Sequence, residues 1–284
     1  MYEDGADAAG GPVPSLGGAV KKFNLEGLIP LILLVIIGVA SLNYFGVIDV
    51  PFLPKGSERV QVLFIGTPSL GEKTALDNLN YFLNYTSREA SSFGNAAAET
   101  LQQYDIVILD QSNSNDKSVS VALSESIQNY VRKGGKLIIV MNSAIYSSVG
   151  FQGYTAADAI GWQATLGKIS PAYCGADHLG VPTCKEGQEI NLLGRIWRQD
   201  FDHPIMQGIE VAPAIGDAPF RLTALPITAD AGAKTIAYMK AENTPQTFPA
   251  ILEKKSFPMG TVIYFNYDPG YTQTILKNTI DYLK

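Results

Sequence analysis

From residue 59 onward, short apolar runs alternate with segments of helical spacing. Val60–Ile65 is a run without polar alternation, and Ile106–Leu109 and Lys136–Met141 repeat the pattern. Strands of that kind are covered on both faces, as in the middle of a parallel sheet packed by helices. Between them, Ala75–Tyr85 carries Leu76, Leu79, Phe82 and Leu83 at helical spacing, Ala96–Gln103 reads as a short helix, and Val119–Arg132 places Val119, Leu123, Ile127, Tyr130 and Val131 on one side. Gly134-Gly135 ends that last helix and delivers the chain to the third run. Strands alternating with helices predict an α/β fold with right-handed crossovers. Ligands of such sheets bind at the carboxyl ends of the strands. This edge would gather Gly66 and Thr67, Asn142 and Ser143, and Asn266 and Asp268 into a polar groove for a ligand or peptide, although Ser, Asn and Asp also cap helices and satisfy turns everywhere.

The carboxyl-terminal third turns to strands (Phe220–Leu225, Thr235–Met239, Phe248–Leu252 and Thr261–Asn266) and closes on a helix, Thr272–Leu283. Gly150–Gln199 is Gly-rich and less apolar, with Ala156–Leu166 as a candidate helix, and residues 150–200 read as an insertion. It holds both tryptophans and both cysteines, Cys174 and Cys184. A disulfide between them would close a short turn-rich loop, worth about 3 kcal/mol in the chain-entropy model, and would place the domain on an oxidising side. Two free thiols or a metal site are the alternatives, but there is no C-x-x-C, and His178 offers one further ligand where zinc takes three or four.

Upstream, Leu28–Ile48 is nearly unbroken in apolar character, and about 20 such residues cross a bilayer core of roughly 30 Å. The expectation is a single transmembrane helix over 27–48, after a disordered tail (1–26) and before a Pro-containing linker (49–58) that leads to a domain at 59–284. Lys21 and Lys22 on one side and Lys55 and Arg59 on the other tie the positive-inside count, so the cysteine pair decides an extracytoplasmic domain. Asn84-Tyr85-Thr86 is a glycosylation sequon. Glu26-Gly27-Leu28-Ile29 is similar to an archaeal prepilin-type cleavage site, with Gly27 as the processing position, and suggests an archaeal surface protein.

Composition narrows the partners. The 284 residues are 46% hydrophobic and only 17% charged, with net charge -6, pI about 5.0 and mean hydropathy +0.08. Lys and Arg are scattered, which excludes an electrostatic case for nucleic acid. Neither a resident metal nor a cofactor is expected. Asp110 and Asp116 flank an Asn/Ser-rich loop without the D-x-D-x-D-G spacing of a calcium site.

Tyr130-Val131-Arg132-Lys133-Gly134-Gly135-Lys136, Asp202-His203-Pro204-Ile205-Met206-Gln207-Gly208-Ile209 and Gly260-Thr261-Val262-Ile263-Tyr264-Phe265-Asn266, in that order, resemble the class I glutamine amidotransferase-like fold, particularly its ThuA-like branch. The resemblance covers residues 59–284 and implies a flavodoxin-like three-layer sandwich with a mainly parallel sheet. It also implies a Cys nucleophile on a strand-to-helix elbow and a late His-x-Glu pair. Met141-Asn142-Ser143-Ala144 stands at the elbow with no Cys and no G-x-C-x-G or G-x-S-x-G pattern, and Asn266 and Asp268 stand where His and Glu would be. Ser143 would need a base, and His203, in a turn, is the one on offer. The triad is missing from the sequence. Three functions follow: a non-catalytic, membrane-anchored domain binding a protein partner or a surface glycan; a prepilin-processed filament subunit; or a carbohydrate-directed hydrolase with a different site.

Overall fold

A computed structural model describes residues 25–44, 59–94, 96–151, 154–175, 183–185, 187–257 and 259–284; the side chains of 25–28, 43–44 and 148–160 are outside the description. The expected tail up to residue 24, the linker and His178 lie outside the described residues, while residues 25 and 26 of that tail open a helix. The chain divides into two compact units, one to Glu58 and one from Arg59 to Lys284.

In the first unit, α1 (Leu25–Tyr44) is a helix of 20 residues with Gly27 and Pro30 inside it. Its described side chains, 29–42, are largely exposed and mostly apolar. Among the described residues no helix is long and apolar enough to cross a membrane; 29–42 rises only about 21 Å at 1.5 Å per residue.

The second unit begins with β1 (Val60–Gly66), α2 (Leu70–Asn78), β2 (Leu83–Arg88), α3 (Ala97–Leu101), β3 (Ile106–Asp110), β4 (Ser118–Ser120), α4 (Val121–Arg132) and β5 (Lys136–Val140). β6 (Tyr146–Phe151), β7 (Tyr154–Ile160), α5 (Trp162–Thr165), β8 (Ala172–Tyr173), β9 (Ile190–Arg198), β10 (Val211–Ala212), β11 (Phe220–Ala224) and β12 (Thr228–Ala229) follow. The chain ends with β13 (Lys234–Ala241), β14 (Thr247–Ser256), β15 (Gly260–Phe265) and α6 (Gln273–Leu283).

The central sheet is mixed. One half, in the order β2-β1-β3-β5-β15, is parallel throughout; this is the 2-1-3-4-5 order of flavodoxin-like folds. The other half, β14-β13-β9 with β10 and β11 on β9, is joined by antiparallel ladders. The expectation of a mainly parallel sheet therefore holds for one half. α2 packs with α6 and α3 with α4, and since β1, β3, β5 and β15 are buried nearly throughout, helices cover both faces of that half. Each fully buried Ile, Leu or Phe there contributes roughly 1.5–3 kcal/mol by leaving water.

The helices start where hydrogen bonding dictates. Ser69 and Glu72 form a reciprocal capping box on α2, and Ser120 accepts the Leu123 N–H to open α4. α4 stops at Lys133 because Gly134 takes φ +104°.

Four expected elements differ. The helix read over Ala75–Tyr85 is α2, which ends at Asn78, and Leu83–Arg88 is instead strand β2, parallel to β1. Its apolar positions fit both periods, and pairing to β1 decides. The helix read over Ala156–Leu166 is β7 followed by α5, divided at Gly161 with φ +107°. Val119 lies in β4, before α4. Finally, the segment read as an insertion contains β9, an interior strand of the central sheet paired with both β13 and β11. Cys174 and Cys184 form a disulfide with Cα atoms 5.5 Å apart.

Candidate functional site

The parallel strands deliver their carboxyl ends to one edge. The approach of β1 to β3 there is as close as backbone permits: a Cβ on Gly66 would lie 1.8 Å from the Asp110 carbonyl oxygen, and Gly66 adopts φ +117°. After β5 the chain turns sharply, with Met141 at φ +48° and Ala144 at φ +56°. Non-glycine residues rarely occupy that region, and strain of this kind clusters at ligand sites.

Over this edge lies a cavity of about 450 Å³ lined by Ser112, Asn113, Lys117, Met141, Asn142, Glu189, Asn191, Thr223, Asp268 and Tyr271. Most of these side chains are polar. Asn142 Nδ2 donates to Glu189 Oε1 (3.2 Å), and Thr223 Oγ1 donates to Asn191 Oδ1 (3.0 Å). Lys117 Nζ is held by the carbonyls of Gln111, Ser112 and Ser114 at 2.5–2.8 Å, which shapes the loop after β3. Tyr271 stacks at a tilt on Phe220, with centroids 5.6 Å apart.

The six residues expected to form the groove divide. Asn142 and Asp268 line the cavity. Ser143 is fully buried: its hydroxyl donates to the Val140 carbonyl (2.6 Å) and accepts the Gln111 N–H (2.7 Å), bolting β5 to the end of β3. Asn266 is equally buried, accepting the Leu225 N–H (2.9 Å) and donating to the carbonyls of Leu225 (2.9 Å) and Pro249 (3.0 Å). Gly66 offers its carbonyl to Ser87 Oγ, and exposed Thr67 donates to Glu89 (3.0 Å). Asn84 of the sequon is exposed on β2 and accepts from Arg59 (3.3 Å).

Beneath the cavity lies a feature that the sequence alone does not reveal. Asp268 Oδ1 accepts from Ser69 Oγ (3.0 Å), Ser69 Oγ caps the Glu72 N–H (3.1 Å), and the Glu72 carboxyl neighbours that of Asp110 closely enough for each to shift the other's proton affinity. Glu72 and Asp110 are almost wholly buried, and Glu72 Oε1 and Asp110 Oδ2 have no hydrogen-bond partner. Two carboxylates cannot face one another there without a proton between them. Burial, followed by Asp110 itself, holds Glu72 well above the usual carboxylate range. Burial likewise raises Asp110 to about 6, against the pull of the Ser112 N–H. The capping-box pattern Ser69-Leu70-Gly71-Glu72 is the sequence signal for half of this pair.

His203 belongs elsewhere. It lines a separate cavity of about 510 Å³ with Asp200, Asp202, Lys234, Glu253, Lys255 and Tyr282. Its Nδ1 accepts the Ile205 N–H (3.3 Å) and its Nε2 lies 3.5 Å from Glu253 Oε2, so it shares a cavity with neither Asp268 nor Ser143. Among the described residues no cluster of three His, Cys, Asp or Glu could hold a metal ion.

No protein-family model matches the chain, and no curated protein matches it. Solved structures do. A β-galactosidase from Rahnella sp. R3 is 14% identical with a TM-score of 0.50, over 80% of this chain and 31% of that one. PurLQS from Thermotoga maritima is 10% identical with a TM-score of 0.47, over 80% of this chain and 100% of that one. A GMP synthase component from Thermoplasma acidophilum is also 10% identical, TM-score 0.45, over 80% and 94%. The chain spans about a third of the β-galactosidase's length. At these identities the likeness concerns the fold alone.

Proposed function

We propose that this chain is a membrane-anchored, extracytoplasmic binding protein that takes a surface glycan in the crevice at the carboxyl edge of its sheet and performs no acyl-transfer chemistry. The lining of the crevice carries this reading. Asn142, Asn191, Thr223, Ser112 and Asp268 present donors and acceptors close together, and Tyr271 sets an aromatic face beside them. A ligand dense in hydroxyls and with an apolar ring face needs that mixture. A polar pocket also recognises by paired hydrogen bonds, whose loss is costly on burial.

The elbow supports binding over catalysis. At the strained turn after β5 stands Met141, whose thioether has no proton to give a base and forms no acyl ester. At the end of β15, Asn266 is consumed in three structural hydrogen bonds. Anchoring is supported by the apolar run Leu28–Ile48, and the extracytoplasmic side by the Cys174–Cys184 disulfide.

The test is glycan-array screening of the full chain in detergent, followed by titration of any hit against Asn142→Ala and Asp268→Asn. The expected result is saturable binding that each variant weakens by at least about tenfold, the loss of one good hydrogen bond to a charged or buried group. Binding indifferent to both variants, or no glycan bound, overturns the reading. A mature amino terminus at Leu28 in intact-mass measurement would instead favour the filament subunit.

A further inference from the structure

We propose that the turn between β14 and β15, with the cations around it, is a docking surface for an anionic lipid bilayer; this rests on the anchored reading above. Phe257 is 93% exposed and Met259 73%. Single exposed apolar residues are ordinary, but this pair stands at a hairpin tip inside a basic collar. Lys136 Nζ donates to the Met259 carbonyl at 2.9 Å. Lys255 precedes the tip with its side chain 69% exposed. Arg132 and Lys133 are exposed at the end of α4. That end is held against the tip, because a Cβ on Gly134 would meet Met259 Cβ at 3.7 Å and one on Gly260 would lie 2.1 Å from the Val131 carbonyl oxygen.

The nearby carboxylates offset these charges only in part. Asp105 stands on the same edge, with its Oδ2 taken by the Gln61 N–H at 2.8 Å. Glu253 is buried and engaged by His203 and Tyr282. Its Oε1 lies 3.9 Å from Lys255 Nζ, so it offsets part of the Lys255 charge and leaves Lys136, Arg132 and Lys133 as the main cations of the collar. In a protein of net charge -6, a local basic collar around apolar side chains is against the trend. Anionic headgroups over an acyl boundary complement it on both counts.

Position adds a second reason. Val62, Ile106, Lys136 and Thr261 are joined in register: Val62 to Ile106, Ile106 to Lys136, and Lys136 to Thr261. The tip therefore lies on the amino edge of the parallel half, where the chain enters β1 after Arg59, three strand spacings or roughly 14 Å away. The glycan crevice is on the other edge. A domain resting on this tip would turn its crevice away from the membrane.

The experiment uses the full chain carrying an environment-sensitive nitrobenzoxadiazole label on Ser256→Cys, the native cysteines being paired. It is reconstituted in vesicles of phosphatidylcholine, with and without phosphatidylglycerol. A matched label on Leu70→Cys, 83% exposed after the carboxyl end of β1, reports the opposite edge. The expected result is flotation with both vesicle types. The 256 label should shift to the blue in anionic vesicles, where lipid-borne nitroxide should quench it several-fold more than the 70 label. High salt, or Phe257→Ser with Met259→Ser, should abolish the difference. Flotation with a water-like label at 256 overturns the docking surface and leaves the anchor standing. Failure to float overturns both. A blue shift on adding an acidic polypeptide without lipid reassigns the surface to a protein partner.

Discussion

Along β3 and β5, from Ile106 to Asp110 and from Leu137 to Val140, every residue is buried, whereas β9 and β13 alternate buried and wetted positions along their length. The two halves of one sheet thus answer to different constraints. The parallel half is closed on both faces by helices, so its inner strands β1, β3, β5 and β15 are almost wholly buried, and only the edge strand β2 is polar and exposed. The antiparallel half has polar positions to spare, and it sends Glu189, Asn191 and Thr223 into the crevice. The crevice arises where the uniformly buried half and the more varied half meet.

Truncation tests the contrast most directly. Ile139→Ala, at a fully buried position of β5, should cost about 4 kcal/mol, while Leu193→Ala on β9, 43% exposed, should cost under about 1 kcal/mol. Urea denaturation measures both, and equal losses would break the comparison. The disulfide comes next. Cys174→Ser with Cys184→Ser should lower stability by about 3 kcal/mol in the chain-entropy model, so a negligible change would mean that the loop is held by other contacts.

At the junction of the halves, Asn266→Ala strands a buried N–H and two carbonyls. A loss of about 2–3 kcal/mol is expected, with Asn142→Ala, at the crevice, losing less. The last effect has the opposite sign. Asp110 keeps its proton to about pH 6 when folded and to about 3.8 when unfolded. The folded state therefore binds more protons in that interval, and stability falls as pH rises from about 4 to 6. Asp110→Asn should flatten that slope, with the raised Glu72 keeping part of it, and should stabilise the protein at pH 7. Thermal melts at pH 5 and pH 7.5 would show it, and an unchanged slope would relocate the proton to another group.

The sequence was most legible where these constraints are simplest. Continuous apolar runs ending in Gly, Asn or Asp marked β1, β3, β5 and β15, and the spacing of Ile275, Leu276, Thr279 and Ile280 marked α6. β9 escaped because Ile190–Arg198 is interrupted by Gly194. That glycine answers to a distant partner, since a Cβ there would lie 2.4 Å from the Lys240 carbonyl oxygen. The site followed the same division. Asn142 and Asp268 sit at ends of readable strands. Glu189, Asn191 and Thr223 reach the crevice only through the long-range pairing of β9 with β11 and β13. The Glu72–Asp110 pair needs the register of β1 on β3, which no local pattern encodes.

One consequence of that register is mechanical. The chain enters at the amino end of β1, and the crevice stands beyond the carboxyl ends of the parallel strands, so tension between a held ligand and the entering chain would run lengthwise along β1. β1 is flanked on both sides, by β2 from Val60 to Ile65 and by β3 from Val62 to Gly66. Load in that direction shears both ladders at once, so their hydrogen bonds share it rather than opening one after another like a zip.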